Sequence, residues 1–226
     1  MGVPEGMSDQ SLTVTAPVTE AKTLDFGGLK ITYDARVLEP RPWTAAQSLW
    51  AAELIASAPP GPVLELCAGA GHIGLLAISR SLRRLVSVDA NPAACELTLL
   101  NAAAAGLRVD IREGPMDAVL EPDERFAVII ADPPWVPSRE ITTYPDDPGS
   151  AIDGGEDGTD LIRACLDVIR GHLTEAGSAL LQVGPGQARA VDAFLAEDAD
   201  LRVVATRDFP RGSLVLIDRF SVEEPR

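Results

Sequence analysis

From Pro62 onward the chain alternates short apolar runs with helical stretches, and that rhythm restricts its fold more than any other feature. Val63-Leu64-Glu65-Leu66 reads as a short buried strand, with a helix over Ile73–Arg80 after it. Leu85–Asp89 is a second strand, and Pro92–Ala105 an Ala- and Leu-rich helix ending near Gly106. Arg108–Arg112 and Phe126–Ala131 supply the third and fourth strands, with a short helical piece around Met116–Leu120 between them. A long amphipathic helix over Thr159–Leu173, a strand at Ser178–Val183 and a helix at Ala188–Ala196 follow, before closing strands at Arg202–Arg207 and Ser213–Asp218. Strands separated by helices in this way imply a parallel sheet covered on both faces. Only Phe209-Pro210-Arg211-Gly212 and neighbours join the last two strands, too little for a crossover helix, so that pair is antiparallel.

Upstream of this region, Thr23–Phe26 and Leu29–Tyr33 flank Gly27-Gly28 as a β-hairpin. Pro40 and Pro42 then interrupt the chain before a helix from about Thr44 to Ala58, with Thr44 as its N-cap. Residues 1–20, rich in Ser, Thr, Pro and Gly, read as a flexible tail, residues 21–61 as a hairpin-and-helix extension, and residues 62–226 as the main domain. The tail has neither the basic start nor the apolar run of a signal peptide, and no stretch approaches the ~18 apolar residues of a membrane span. With 46% hydrophobic residues the chain can bury a substantial core. Its net charge of −15 opposes broad binding to a phosphate backbone, although Arg80, Arg83 and Arg84 form a small local cluster that also fits a solvated helix end. Three dispersed cysteines (Cys67, Cys95, Cys165) and two histidines give no metal-ligand spacing, so no metal is expected. Free thiols suit a reducing cytoplasm.

Three constellations carry chemistry. The first is Glu65-Leu66-Cys67-Ala68-Gly69-Ala70-Gly71-His72-Ile73-Gly74, a glycine loop opening directly into a helix. Gly69 and Gly71 allow a sharp turn and close approach of a ligand, and Glu65 beside the loop favours an ammonium or sulfonium group over a phosphate. A strand–helix turn with packing glycines is the plainer alternative. The second is Asp89 with Ala90 and Asn91, about twenty residues past the loop, where an acid can accept both hydroxyls of a ribose. Asp89 could instead cap the helix at Pro92. Met116 and Asp117, after the third strand, could frame an adenine, or Asp117 could be a helix cap. The third is Asp132-Pro133-Pro134-Trp135. Two prolines hold the chain extended and remove two donors, so the Asp132 side chain stands beside a free backbone carbonyl. That pair of acceptors matches a planar NH2 group, and Trp135 could stack on the substrate or face a sulfonium cation. A Pro-Pro turn with Trp135 in the core is the structural alternative.

Taken together, these segments resemble class I S-adenosylmethionine-dependent methyltransferases that modify exocyclic or amide nitrogens. The resemblance narrows to the HemK-like protein-glutamine N5-methyltransferases through two further stretches. Val37-Leu38-Glu39-Pro40-Arg41-Pro42-Trp43-Thr44 is similar to that family's Pro-Arg-x-x-Thr entry to its first core helix, and Ala151–Leu161 to the Gly-Gly-Glu-Asp-Gly-Leu run after its Asn-Pro-Pro-Tyr box. The likeness covers roughly residues 30–195. It implies an α/β, Rossmann-like, seven-stranded, mostly parallel sheet with a terminal antiparallel strand and helices on both faces. S-adenosylmethionine is the implied cofactor, held by Glu65, Cys67, Ala68, Gly69, Gly71, His72, Ile73, Asp89, Ala90, Asn91, Met116, Asp117 and Asp132. Asp132, Pro133, Pro134 and Trp135 are the implied catalytic group, acting on a planar amide or amino nitrogen, with a protein glutamine side chain as one such acceptor. Asp132 and Trp135 replace the family's Asn and Tyr, and Asp in that place is seen in methyltransferases of adenine or guanine amino groups. Methylation of a nucleic-acid amino group, of a small molecule, or cofactor binding without catalysis are the alternatives. Composition favours a protein or small-molecule acceptor over nucleic acid.

Overall fold

A computed structural model describes residues 20–219, so all but the last residue of the expected tail lies outside the described residues. Lys22–Phe26 (β1) and Leu29–Tyr33 (β2) pair as an antiparallel hairpin, closed by Gly27 and Gly28 at positive φ. A 3-10 turn at Pro42–Thr44 leads into α1 (Ala45–Ser57). Thr44 does not cap α1 through its side chain. It adopts a helical conformation, and its hydroxyl donates to the Arg41 carbonyl at 2.8 Å.

The main sheet is built from β3 (Val63–Leu66), β4 (Leu85–Asp89), β5 (Val109–Glu113), β6 (Phe126–Ala131), β7 (Leu173–Val183), β8 (Leu201–Phe209) and β9 (Gly212–Arg219). Its order is β5-β4-β3-β6-β7-β9-β8, with the first five strands parallel and β9 antiparallel to both neighbours. The seven-stranded, mostly parallel sheet with a reversed final strand is therefore present, and the reversed strand lies between β7 and β8. The helices are α2 (His72–Ile78), α3 (Pro92–Ala105), α4 (Gly149–Ile152), α5 (Asp160–His172) and α6 (Ala188–Leu195). The β1–β2 hairpin, α1, α2 and α3 pack one apolar cluster on one face of the sheet, and α5 and α6 pack a second on the other. Residues of the 21–61 segment, among them Phe26, Ile31, Trp50 and Ile55, belong to the same cluster as Val63 and Ile130.

Two local expectations change. Met116–Leu120 forms turns rather than a helical piece, because Gly114 at φ 143 and Pro115 leave β5 in a tight reversal. The strand expected at Ser178 begins at Leu173, directly where α5 ends, with an irregularity in its pairing to β6 between Phe126 and Val128.

Strand order reverses at β3, with β4 and β5 on one side and β6 on the other. Loops leaving the carboxyl ends of β3 and β6 therefore diverge and open a crevice at that edge. No helix among the described residues is long and apolar enough to cross a membrane.

Candidate active site

That crevice is a cavity of about 700 Å³ at the carboxyl ends of β3, β4, β5 and β6. Cys67, Ala68, Gly69, His72 and Ile73 line it from the glycine loop, Asp89, Ala90 and Asn91 from the end of β4, and Met116 and Asp117 from the turn after β5. Asp132 and Pro134 face it from the end of β6. Among the expected cofactor residues, Glu65 and Gly71 do not line it.

The glycine loop is held by its neighbours. The Gly69 N–H donates to Asp89 Oδ2 at 2.8 Å, and the Gly69 carbonyl accepts from Thr98 Oγ1 at 3.0 Å. Asn101 of α3 donates to the carbonyls of Ala70 and Thr32, tying the loop to the hairpin. Gly71 sits at φ 74 as the residue before α2, and any Cβ there would overlap Thr98, so it is a packing glycine. Cys67 is the one non-glycine described residue with positive φ, at 57°. The neighbouring Cys165 thiol, then burial, pushes its thiol pKa up, so Cys67 is a neutral group here.

Asp89 is not the cap of α3. Asn91 fills that role by accepting from the Ala93 N–H at 3.0 Å, and Asp89 Oδ1 accepts from the Asn91 N–H at 2.8 Å. The carboxylate thus joins the two loops and still faces the cavity, with burial raising its pKa. Asp117 has no following helix to cap. Glu65 points away from the cavity into the apolar layer under α2. Its carboxyl oxygens accept from the Gly74 N–H (2.7 Å) and Ser87 Oγ (2.6 Å), and burial pushes its pKa up to about 7. Buried His72 packs edge-on against Phe26 with ring centroids 4.8 Å apart, and its Nε2 meets Thr44 Oγ1 at 3.3 Å. Burial pushes its pKa down to about 3, which keeps the ring neutral at ordinary pH, and its Nδ1 has no partner among the described residues.

Asp132 follows the strand pair in which Leu66 stands opposite Ala131, and its N–H approaches the Leu66 carbonyl at 3.4 Å. This register puts the glycine loop and Asp132 side by side. Glu65, Asp89 and Asp132 cluster at these strand ends, and burial alone pushes the Asp132 carboxyl up to about 7. Unlike Glu65 and Asp89, it accepts no hydrogen bond from any described residue. Pro133 is buried, and Trp135, expected to stack on the substrate or face a sulfonium, does not line the cavity. Its ring lies over Gly184 at the end of β7, where a Cβ would overlap it.

Two residues that position the box, Gln187 and Gln47, escaped the sequence reading. Gln187 donates from Nε2 to the carbonyls of Trp135 and Gly158, both at 3.0 Å, and accepts from the Gly184 N–H at 2.8 Å. Gln47, fully buried on α1, donates to the Ala131 carbonyl at 2.9 Å, one residue before Asp132. The Asp153–Gly158 stretch packs against the box, with Gly154 and Gly158 closing on the Trp135 backbone and Val136 bridging to Asp153. Arg41, Glu39 and Thr44 line the cavity from the Val37–Thr44 entry, and Arg41 pairs with Asp147 at 2.5 Å. The signal available in sequence was a polar residue inside an apolar helical stretch, as at Gln47.

A family model described as "Conserved hypothetical protein 95" matches residues 44–144. The release factor glutamine methyltransferase of Deinococcus radiodurans is 32% identical over 177 residues, covering 76% of this chain and 63% of the relative. The enzyme of the same name from Gloeobacter violaceus is 31% identical over 193 residues, covering 81% of this chain and 67% of the relative. The chain belongs to the HemK-like glutamine methyltransferase family. It spans slightly under two thirds of the Deinococcus member's length. Among solved structures, the 16S rRNA N2 G1207 methyltransferase of T. thermophilus, in complex with AdoMet and guanosine, superposes with a TM-score of 0.64. At 17% identity, over 89% of this chain and 50% of that one, the likeness is one of fold. As a HemK-like sequence, the chain has Asp132 and Trp135 at the two ends of the box that reads Asn-Pro-Pro-Tyr in the family pattern.

Proposed function

We propose that this chain transfers a methyl group from S-adenosylmethionine to the side-chain amide nitrogen of a glutamine in a protein acceptor. The observation that carries this reading is the meeting, on adjacent strand ends in one cavity, of an open glycine loop and an unpartnered carboxyl group. The lining fits the cofactor. Nothing stands within 4 Å of where a Cβ on Gly69 would point, so a ligand can lie against that backbone, and Asp89 offers an acceptor to ribose hydroxyls. Glu39, Asp89, Asp117, Asp132 and Asp167 face the cavity, against Arg41 as its cation among the described residues. Such a field suits an ammonium and a sulfonium and opposes a polyanion.

When bound, S-adenosylmethionine supplies an electrophilic methyl group. Asp132 and the Pro133 carbonyl act on the acceptor: two acceptors side by side hold both hydrogens of a planar NH2 and aim its nitrogen in line with the methyl–sulfur bond. Because burial raises its pKa to about 7, Asp132 is also a better proton acceptor than an exposed carboxylate once the nitrogen carries a methyl group. No covalent enzyme intermediate is needed. The names of the relatives point to glutamine as the acceptor, and the free thiols are consistent with a cytoplasmic setting.

The test is methyl transfer from labelled cofactor, with protein, RNA and small-molecule fractions separated afterwards. Label is expected in protein as N5-methylglutamine. Asp132→Ala should lose about a hundredfold or more in transfer while binding cofactor with little change, and Asp89→Ala should weaken cofactor binding measured by calorimetry. Full activity in Asp132→Ala, or label confined to RNA, would overturn the proposal.

A further inference from the structure

Beside the cavity lies a patch of indoles and guanidinium groups, most of which the proposed reaction does not use. Trp43, next to Thr44 in the entry segment, is half-buried, and two guanidinium groups stand over its ring. Arg211 lies 5.1 Å and Arg41 5.9 Å from the ring centroid. Along the adjoining edge strand, Arg207 lies 3.7 Å from the Trp50 centroid. The aromatic Phe209 (37% exposed) and Leu49 (61% exposed) leave apolar surface around these cations.

The patch is continuous with the site. Arg41 lines the cavity itself. Gly212, following Arg211, packs so closely on Val183 and Gly184 that a Cβ would overlap the Val183 carbonyl, and Gly184 in turn lies under Trp135. Indole and guanidinium groups with scattered apolar side chains are the composition of protein-interface hot spots. On a chain of net charge −15, three arginines are gathered here, Arg41 among them paired with Asp147. Arg211 makes no ion pair among the described residues, and Arg207 reaches Glu53 only at 3.9 Å.

We infer that this indole–guanidinium patch docks the acceptor protein, seating an acidic segment next to the glutamine that enters the cavity. The inference rests on the proposed glutamine methylation and adds the charge of the acceptor. A polypeptide fits better than RNA, because the cations are few and stacked on aromatic rings, and the cavity beside them is lined by acids.

Two fluorescein-labelled synthetic peptides test it, each with one glutamine, flanked by aspartates in one and by lysines in the other. Binding to the protein saturated with S-adenosylhomocysteine is followed by anisotropy, and methyl transfer to the same peptides is measured separately. The expected result is tighter binding of the aspartate peptide by about fivefold or more, lost in Arg211→Glu and largely kept in Arg211→Lys, with cofactor affinity unchanged in both. Equal binding of the two peptides, or a preference indifferent to Arg211→Glu, would overturn the docking surface even if both are methylated. A labelled single-stranded RNA that binds more tightly than the aspartate peptide and is released by Arg211→Glu would overturn it too. Charge-selective binding without transfer supports the surface and counts instead against glutamine as the acceptor.

Discussion

Glu65 illustrates how one side chain can be misplaced by half a strand period. It follows Leu64 and precedes Leu66, both of which pack on the α5–α6 side, so the alternation of a strand sends it to the other face, under α2. Proximity to the glycine loop in sequence made it a cofactor residue. The pleat makes it a pin for the first turn of α2. Its pKa rises from 4.5 to about 7 through burial. A carboxyl whose folded-state pKa is raised contributes stability that is fully present below about pH 4.5 and lost as pH rises through about 7. Glu65→Gln keeps an acceptor for the Gly74 N–H and a partner for Ser87. It should therefore be more stable than the parent at about pH 8, by up to about 3 kcal/mol, with the advantage shrinking toward about pH 5. Denaturant melts of both proteins at the two pH values check this, and a difference independent of pH would contradict it. Asp89 and Asp132 were legible because both stand at the carboxyl edge of the sheet, where the crevice opens.

At the scale of elements, the strand and helix pattern was readable wherever apolar runs were bounded by Gly, Pro or Asn, and α3 starts and stops as its Pro92 and Gly106 require. What could not be read was how elements hold one another. Gln187 is one polar residue just before a short helix, yet it joins the Trp135 box, the 153–158 loop and the end of β7 through three hydrogen bonds. No local pattern announces partners 29 and 52 residues away. The same holds for Trp135, whose place over Gly184 follows from the β6–β7 pairing and not from the box itself. Gln187→Ala should free two carbonyls and one N–H, cost about 1–3 kcal/mol of stability, and lower methyl transfer about tenfold or more by loosening Asp132. Cofactor affinity is expected to stay within about twofold. Calorimetry and initial rates on the same preparation separate these effects, and wild-type rates in Gln187→Ala would show that the box needs no such support.

Across the whole molecule, acids outnumber cations, and they do so as well around the cavity where a cofactor carrying an ammonium and a sulfonium would lie; composition gave that sign without its location. Screening tightens from a Debye length of about 10 Å at 0.1 M salt to about 3 Å at 1 M. S-adenosylmethionine should therefore lose several-fold in affinity over that range, and S-adenosylhomocysteine, which lacks the sulfonium charge, should lose less. Titrations of both ligands at the two salt concentrations check this, and equal losses would mean that the acids facing the cavity do not sense the sulfonium.

The place of β9 bears on how the molecule is made. It follows every other strand of the sheet in the chain, yet it lies inside the sheet, bonded on one side to β7 and on the other to β8. While a ribosome is still adding residues before Gly212, β7 has one bare edge, and that strand carries Ala179, Leu180, Leu181 and Val183, all fully buried in the finished protein. β8 meanwhile has no strand to pair with. A nascent chain of this design must carry an open, apolar strand edge until the last segment emerges, the interval in which it is most exposed to mispairing and to capture by chaperones.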